Sequence, residues 1–191
     1  QFVPFWSRDE SGNLVLEPIV GYDGQGQLAD NIKSILESGE SKLWEPYSYD
    51  FDGEEMLLTT IAAPVIMNGK TIGITGVDFA LDQLHEEISG FSFYNTGFAG
   101  LISNAGNVLS HQNEELIGQN YFETNSMKNR PDRTQIIEAV QTGQSIRIEG
   151  FSNILQTDVY RLFKPIHITG ISQPWSAFLA APIDEVTKLT L

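Results

Sequence analysis

The sequence predicts an α+β fold in which an antiparallel sheet with helices on one side is built twice. Two segments, residues 57–79 and 159–183, share one plan: a strand that ends in proline plus a β-branched residue, then a turn and a second strand, with a helix following. Antiparallel strands with helices packed on one face form an α+β architecture. The 191 residues are enough for two small domains.

The first half is predicted to be strands and turns around two short helices. Apolar residues recur at helical spacing from Leu28 to Leu36, and Gly39 ends that pattern, so a helix is expected over 28–39. A second helix is expected over 81–91. Asn68-Gly69 is the strongest hairpin signal in the chain. The strands predicted in this half are 2–6, 13–22, 42–51, 55–67 and 70–79.

The second half begins again with strands and ends with a helix. A helix is predicted over 130–144, with Pro131 in its first turn and Gly143 just after its end. The closing helix is expected to begin at Ile183. The boundary between the halves is expected within 89–96. The strands predicted in this half are 97–103, 107–111, 145–151, 158–168 and 175–182.

Charge and composition exclude several classes of partner. The net charge of −14 repels phosphate backbones and anionic membrane surfaces, so we expect no nucleic-acid partner. The chain has no cysteine, which excludes disulfides, thiolate metal sites and cysteine nucleophiles. No run of 18 apolar residues occurs, so no segment is expected to span a bilayer. Because the chain opens on Gln1 and stops within an apparent helix, we interpret it as a piece of a longer protein.

The sequence offers no catalytic, metal or cofactor motif. His85, His111 and His167 lie in three different elements, and no two of them have metal-ligand spacing. Residues 24–29 formally match the dinucleotide motif G-x-G-x-x-A, but that motif works only in a parallel strand–helix–strand unit, and hairpins follow here. We therefore expect no cofactor, no metal ion and no catalytic residue.

Aromatic residues in the first half are the candidates for a ligand pocket. Alternate residues of a strand point to the same side, so Tyr47 and Tyr49 share a face. Pockets for small molecules are mostly apolar and aromatic, with a few converging polar groups. The same residues could equally form a hydrophobic core. The aromatic candidates are Trp6, Tyr22, Trp44, Tyr47 and Tyr49.

Asp78 is the most unusual single residue, because it interrupts the apolar run 73–81. A buried carboxylate without a partner costs several kcal/mol, so its charge must be met by another group. One interpretation is an N-cap for the helix that follows, since aspartate is favoured there. The other is an anchor for a ligand. The residues leave both interpretations open.

Four segments together resemble the double Cache family, the extracytoplasmic sensor region of many bacterial chemoreceptors and some histidine kinases. The most specific parts are the E-P-Y-x-Y strand, the P…N-G-K-x-I-G-I-x-G-V-D hairpin and the G-x-x-x-L-I-S-x-x-G-x-V-x-x-H segment. The resemblance extends over nearly the whole chain. The four segments are FVPFWSR (2–8), WEPYSYDFDG (44–53), LLTTIAAPVIMNGKTIGITGVDFALDQL (57–84) and GFAGLISNAGNVLSHQNEELIGQ (97–119).

The resemblance implies two PAS-like modules: a membrane-distal, ligand-binding module over 1–90 and a membrane-proximal one over 91–191. The long N-terminal helix of the family is absent from this chain. In relatives the aspartate of the G-V-D strand often binds the amino group of the ligand, and Asp78 matches it. Relatives that bind amino acids carry an R-x-W-Y cluster that this chain lacks, and Tyr49 replaces their second aspartate. The predicted ligand-binding residues are Trp6, Arg8, Tyr22, Trp44, Tyr47, Tyr49, Thr60 and Asp78.

These observations predict the sensor domain of a transmembrane chemoreceptor that binds a small polar metabolite, an amine or N-heterocycle rather than an α-amino acid. The resemblance implies a homodimeric receptor in the inner membrane, with this domain in the periplasm and flanking transmembrane helices outside the chain. The cytoplasmic partner could instead be a histidine kinase or a cyclase. An extracellular enzyme and an adhesion module are the hypotheses from other classes.

Overall fold

The computed structural model describes residues 4–9, 11–18, 24–51 and 53–188. The strands are β1 Pro4–Arg8, β2 Leu14–Pro18, β3 Lys42–Leu43, β4 Tyr47–Phe51, β5 Glu54–Met67, β6 Lys70–Ala80, β7 Ser92–Phe93, β8 Gly97–Ile102, β9 Val108–Ser110, β10 Ile146–Ser152, β11 Thr157–Ile166 and β12 Trp175–Pro182. The helices are α1 Gly26–Ser38, α2 Leu81–Ser89, α3 Asn125–Lys128, α4 Arg133–Thr142 and α5 Ile183–Lys188. Glu114–Leu116 and Tyr121–Glu123 form short 3₁₀ turns.

The first large sheet is built around the long strand β5. Strands β3 and β4 pair with successive parts of one edge of β5, and β6 pairs with the other edge. Asn68 and Gly69 connect β5 to β6 with φ angles of 51° and 74°, the left-handed backbone that a tight hairpin needs. The predicted hairpin is confirmed. A shift in the pairing register lies between Val65 and Ile66.

The second sheet contains six strands in the order β10-β11-β12-β8-β7, with β9 paired to β8. All pairings between the described strands are antiparallel. The α+β prediction is therefore confirmed. Residues 24–29 do not lie in a parallel strand–helix–strand unit, because the strands that follow pair as antiparallel neighbours. The described residues contain no helix that is long and apolar enough to cross a membrane.

Three apolar clusters hold these layers together. In the first, α1 covers one face of the β3–β6 sheet through Ile32 and Ile35. In the second, the opposite face of that sheet packs against the six-stranded sheet, where Leu57 and Ile61 meet Leu101, Leu109 and Trp175. The third fills the space between the six-stranded sheet and the segment 121–140. The two sheets are thus joined through an apolar contact.

Several predicted boundaries differ from the structure. Among the described strands, β1 and β2 pair with each other and with no other strand, so they form a separate ribbon. Helix α4 begins at Arg133 rather than at residue 130, and its N-cap is Asp132, so Pro131 precedes the helix instead of lying in its first turn. The segment 113–129, for which we predicted no element, forms two 3₁₀ turns and α3. Its polar residues act there as local caps: Asn113 and Asn120 accept backbone N–H bonds at the two turns.

Candidate functional site

Tyr47, Thr60 and Asp78 lie on one face of the β3–β6 sheet. Thr60 of β5 stands directly opposite Asp78 of β6. Tyr47 of β4 stands opposite Leu58, two residues before Thr60, and residues two apart on a strand face the same way. Helix α1 covers this face, because Ile32 and Ile35 pack there with Ala62. Three neighbouring strands therefore bring the three polar side chains together.

A chain of hydroxyl groups ends on the Asp78 carboxylate. The Thr60 hydroxyl donates to Asp78 Oδ1 at 2.6 Å. The Tyr47 and Thr60 hydroxyl oxygens are 2.8 Å apart, and the Tyr47 hydroxyl is also 3.4 Å from Asp78 Oδ1. Since Thr60 uses its single hydrogen on Asp78, the Tyr47 hydroxyl is the donor in the 2.8 Å bond. Burial, with the nearby Asp78 charge, raises the pKa of Tyr47 to about 12.

The Asp78 carboxylate has one oxygen left for another donor. Both hydroxyl contacts go to Oδ1, and no hydrogen bond to Oδ2 occurs within the described part of the chain. No lysine, arginine or histidine in that part forms an ion pair with Asp78 either. The side chain is half-buried. An anion in this position favours a ligand that brings a positive charge or an N–H donor.

The helix-cap interpretation of Asp78 is wrong. Helix α2 begins at Leu81 and its N-cap residue is Ala80. No side chain caps this end. Asp78 lies inside β6, where its side chain points across the sheet to Thr60 instead of forward to the helix. The structural alternative therefore does not account for an aspartate at this position.

A cavity of about 490 Å³ opens between α1 and β4. Its walls combine aromatic and apolar side chains with a few amide, hydroxyl and carboxyl groups. The Trp44 Nε1–H is buried and has no hydrogen-bond partner among the described residues. A buried donor without a partner is costly, so the cavity offers a place for an acceptor atom of a ligand. The lining residues are Gln27, Leu28, Asn31, Trp44, Pro46, Tyr47, Ser48, Tyr49, Asp50 and Leu57.

Tyr47 connects this cavity with the aspartate. Its side chain lies in the cavity wall, and its ring centroid is 6.1 Å from that of Trp44. Its hydroxyl group reaches Thr60 and Asp78, which are not themselves lining residues. The carboxylate thus lies one side chain behind the wall. A ligand group that replaces the long 3.4 Å contact between Tyr47 and Asp78 would meet the carboxylate directly.

The structure brings together some of the predicted site residues and not others. Trp44, Tyr47, Tyr49, Thr60 and Asp78 form one connected group. Trp6 and Arg8 do not join that group, because they lie on the outer face of the β1–β2 ribbon. The Trp6 side chain is 61% exposed. The Arg8 guanidinium donates to the Gly12 carbonyl at 2.7 Å and so closes its own hairpin. Tyr22 lies outside the described residues.

Sequence reasoning missed two contributors to the site. Phe5, not Trp6, is the ribbon residue that faces the group, with its ring centroid 5.9 Å from that of Tyr49. The two residues alternate along β1, so only one of them can point inward. Helix α1 supplies Gln27, Leu28 and Asn31 to the cavity. The helix was predicted, but its periodicity identified only the apolar residues that anchor it.

Comparison with known families and proteins agrees with the resemblance found in the sequence. Residues 1–86 match the model of the "Methyl-accepting chemotaxis protein-like, first PDC sensor domain" family. The chemotaxis protein TlpQ of Pseudomonas aeruginosa is 23% identical over 199 residues, which cover 95% of this chain and 26% of TlpQ. PscA of Pseudomonas syringae pv. tomato is 29% identical over 110 residues, covering 58% of this chain and 17% of PscA. The chain therefore spans about a quarter or less of these relatives.

Solved structures share the fold. The extracellular domain of mmHK1S-Z2, a protein named as a histidine kinase, is 27% identical with a TM-score of 0.74, covering 97% of this chain and 65% of that one. The periplasmic sensory domain of the Campylobacter jejuni chemoreceptor Tlp1 is 17% identical with a TM-score of 0.70, covering 96% and 63%. The ligand-binding domain of the Pseudomonas fluorescens chemoreceptor CtaA, solved with L-leucine, is 21% identical with a TM-score of 0.60, covering 95% and 71%.

Proposed function

We propose that this chain, a Cache-type extracytoplasmic sensor domain, binds a small amine or N-heterocycle between α1 and β4. Residues 1–90 would be the membrane-distal, ligand-binding module, and residues 91–191 the proximal module that passes the signal on. The observation that carries the proposal is the Asp78 carboxylate. It is half-buried, holds hydroxyl groups on one oxygen only and has no cationic partner within the described chain.

The aromatic wall supports the same ligand class. Trp44, Tyr47 and Tyr49 offer ring faces to which a cation is attracted and on which a flat heterocycle stacks. The free Trp44 Nε1–H would donate to a ring nitrogen or carbonyl of such a ligand. An amine with an adjacent heterocycle would use both features at once. A purely apolar ligand would leave the carboxylate and the indole N–H without partners.

An α-amino acid is the second candidate, because the related domain of CtaA was solved with L-leucine. An amino acid brings a carboxylate, which usually needs an arginine or several N–H donors. The lining residues include no arginine or lysine. Arg8, which was listed among the predicted ligand-binding residues, bonds to the Gly12 carbonyl. The cavity favours the amine end of a ligand over a carboxylate end.

The contact between the two sheets provides a route for the signal. Leu57 lines the cavity and belongs to the apolar cluster that joins the two sheets. A Cβ atom placed on Gly118 would lie 2.6 Å from Leu57 Cδ2, so this contact leaves no room for a larger residue. We expect ligand binding to shift this packing and to move α5. In a homodimeric inner-membrane chemoreceptor, α5 would continue toward a transmembrane helix, and a kinase output remains the alternative.

A thermal-shift screen of amines, purines, organic acids and amino acids tests the ligand class. A ligand that binds only the folded state raises the unfolding free energy by RT ln(1 + [L]/Kd), about 2.7 kcal/mol at 100 Kd. The proposal predicts hits among amines or N-heterocycles. Hits confined to amino acids that keep both charged ends would support the second candidate. No hit in either class would contradict the proposal.

A further inference from the structure

The six-stranded sheet carries an arginine where a core residue is expected. On β11 the side chains of residues 159, 161 and 163 point to the same side. Val159 and Phe163 are fully buried in the space under this sheet, yet Arg161 lies between them. Arginine is almost never found in such a position unless it is paired. The sequence DVYRLFK already shows this break in the apolar alternation.

The Arg161 guanidinium is held in place, but no carboxylate of the described residues forms an ion pair with it. Nη2 donates to the Phe151 carbonyl at 2.8 Å. Nη1 is buried and has no hydrogen-bond partner in the described chain. No Asp or Glu there forms an ion pair with it, although the nearby Arg130 pairs with Asp132 at 2.6 Å. Burial is the largest influence on Arg161 and lowers its pKa; Tyr121 and Asp132 oppose this effect, and the Arg130 charge adds to it.

Two arginines lie over the same glycine. A Cβ atom on Gly150 would lie 3.1 Å from Arg130 Nη2 and 3.5 Å from Arg161 Nη1. Among the described residues, Asp132 forms its ion pair with Arg130, and Arg161 has no ion pair of its own. Glu123 lines a cavity that also reaches Arg161. Its carboxylate is paired with Arg133 at 2.8 Å. Its charge is therefore already met by another cation.

A cavity of about 450 Å³ adjoins Arg161. Phe98 and Phe178 supply apolar walls, and His111 adds a second donor. The Asn113 backbone N–H donates to His111 Nδ1 at 2.9 Å, so the neutral ring carries its hydrogen on Nε2. No partner for that Nε2–H occurs among the described residues. Two unused N–H donors beside aromatic walls match a carboxylate with a short apolar tail.

We propose that this cavity in the second module is a separate binding site for a small monocarboxylate, held by Arg161 with His111 as a further donor. The carboxylate would neutralise the free guanidinium and accept from its Nη1–H, while the tail would pack on Phe98 and Phe178. This site lies under a different sheet from Asp78 and does not depend on the amine site. One sensor chain would thus respond to ligands of opposite charge.

Calorimetric titration of the chain with sodium acetate, propionate and lactate tests the site. At least one of these salts should bind, whereas propionamide, which has the shape of propionate without its charge, should not. Arg161→Met should weaken binding about tenfold or more, as expected for loss of a charge-assisted bond. The matched control is Arg147→Met, because Arg147 stacks on the Tyr160 ring of the same sheet, 5.2 Å from its centroid.

Three results would overturn the proposal: no binding of any of the three salts, equal binding by Arg161→Met, or loss of binding in Asp78→Asn. The last result would place the carboxylate in the first module. If Arg161→Met does not fold, an NMR titration of the unmodified chain replaces that variant. The largest amide shifts should then fall at Ile148, Arg161 and Ala180, which are neighbours in the sheet register. Shifts centred on β4–β6 would contradict the site.

Discussion

Replacing Thr60 by valine removes the central hydroxyl of the Tyr47–Thr60–Asp78 chain while keeping the shape of the side chain. Thr60 is 3% exposed, so water cannot take the place of its hydroxyl. The variant loses the 2.6 Å bond to Asp78 and leaves the Tyr47 hydroxyl with only its 3.4 Å contact. Leaving a buried polar group unsatisfied costs about 1–3 kcal/mol, so we expect a loss of about 2 kcal/mol of unfolding free energy.

Thermal and urea unfolding measure this loss. For a chain of this size, 2 kcal/mol corresponds to a fall in Tm of about 4–8 °C. Thr60→Ser is the matched control, because it keeps the hydroxyl and loses only a methyl group. In a Tyr47→Phe background, Thr60→Val should cost less, since no phenol is then left without a partner. Equal stability of the valine and serine variants, or strict additivity with Tyr47→Phe, would refute the hydroxyl chain.

Three further predictions concern the rest of the fold. Gly100→Ala should strongly lower the free energy of unfolding, because its Cβ would lie 2.2 Å from Phe178 Cζ. Gly73 has open space around it, so Gly73→Ala should stay within about 0.5 kcal/mol of the parent in urea unfolding. Burial lowers the pKa of His111 to about 4. As the pH falls, His111 is therefore protonated in the unfolded state before it is protonated in the folded state. His111 then lowers stability as pH falls from about 6.5 to about 4, by up to about 3 kcal/mol, and His111→Phe should flatten that part of the pH profile. Leu57→Ala should lower the free energy of unfolding by about 1–3 kcal/mol, because Leu57 packs in the cluster that joins the two sheets. It should also weaken the protection of β8 and β9 in hydrogen exchange. Unchanged protection of these strands would contradict coupling between the sheets.

The sequence predicted the antiparallel sheets well because their signals are local. The Asn68-Gly69 turn fixes the β5–β6 hairpin through its own backbone preference, and α1 follows from the spacing of its apolar residues. The segment 113–129 was not predicted, because its turns depend on asparagine side chains that bond to nearby backbone groups. Such local caps produce no periodicity that a sequence reading can detect.

The site was predicted only in part, for a similar reason. The sequence shows Asp78 as a charged residue within an apolar run. Its partner Thr60 depends on the register of β5 against β6, which the sequence does not show. Trp6 was predicted for the site and Phe5 was not; alternation along β1 shows that the two residues face opposite ways but not which one faces inward. Arg161 likewise interrupts the apolar alternation of its strand in the sequence. Its free Nη1–H became visible only with the packing around it.

Titration of the strongest amine hit against Asp78→Asn measures whether the Asp78 carboxylate holds the ligand. Asparagine can still accept the Thr60 bond, so the fold should be kept while the negative charge is removed. Asp82→Asn, an exposed neighbour with the same change of charge, is the matched control. We expect Asp78→Asn to weaken binding of the amine by about 10- to 100-fold, the size of a charge-assisted bond, and Asp82→Asn to leave its affinity unchanged. Equal weakening by both variants, or none by Asp78→Asn, would show that the Asp78 carboxylate does not bind the amine.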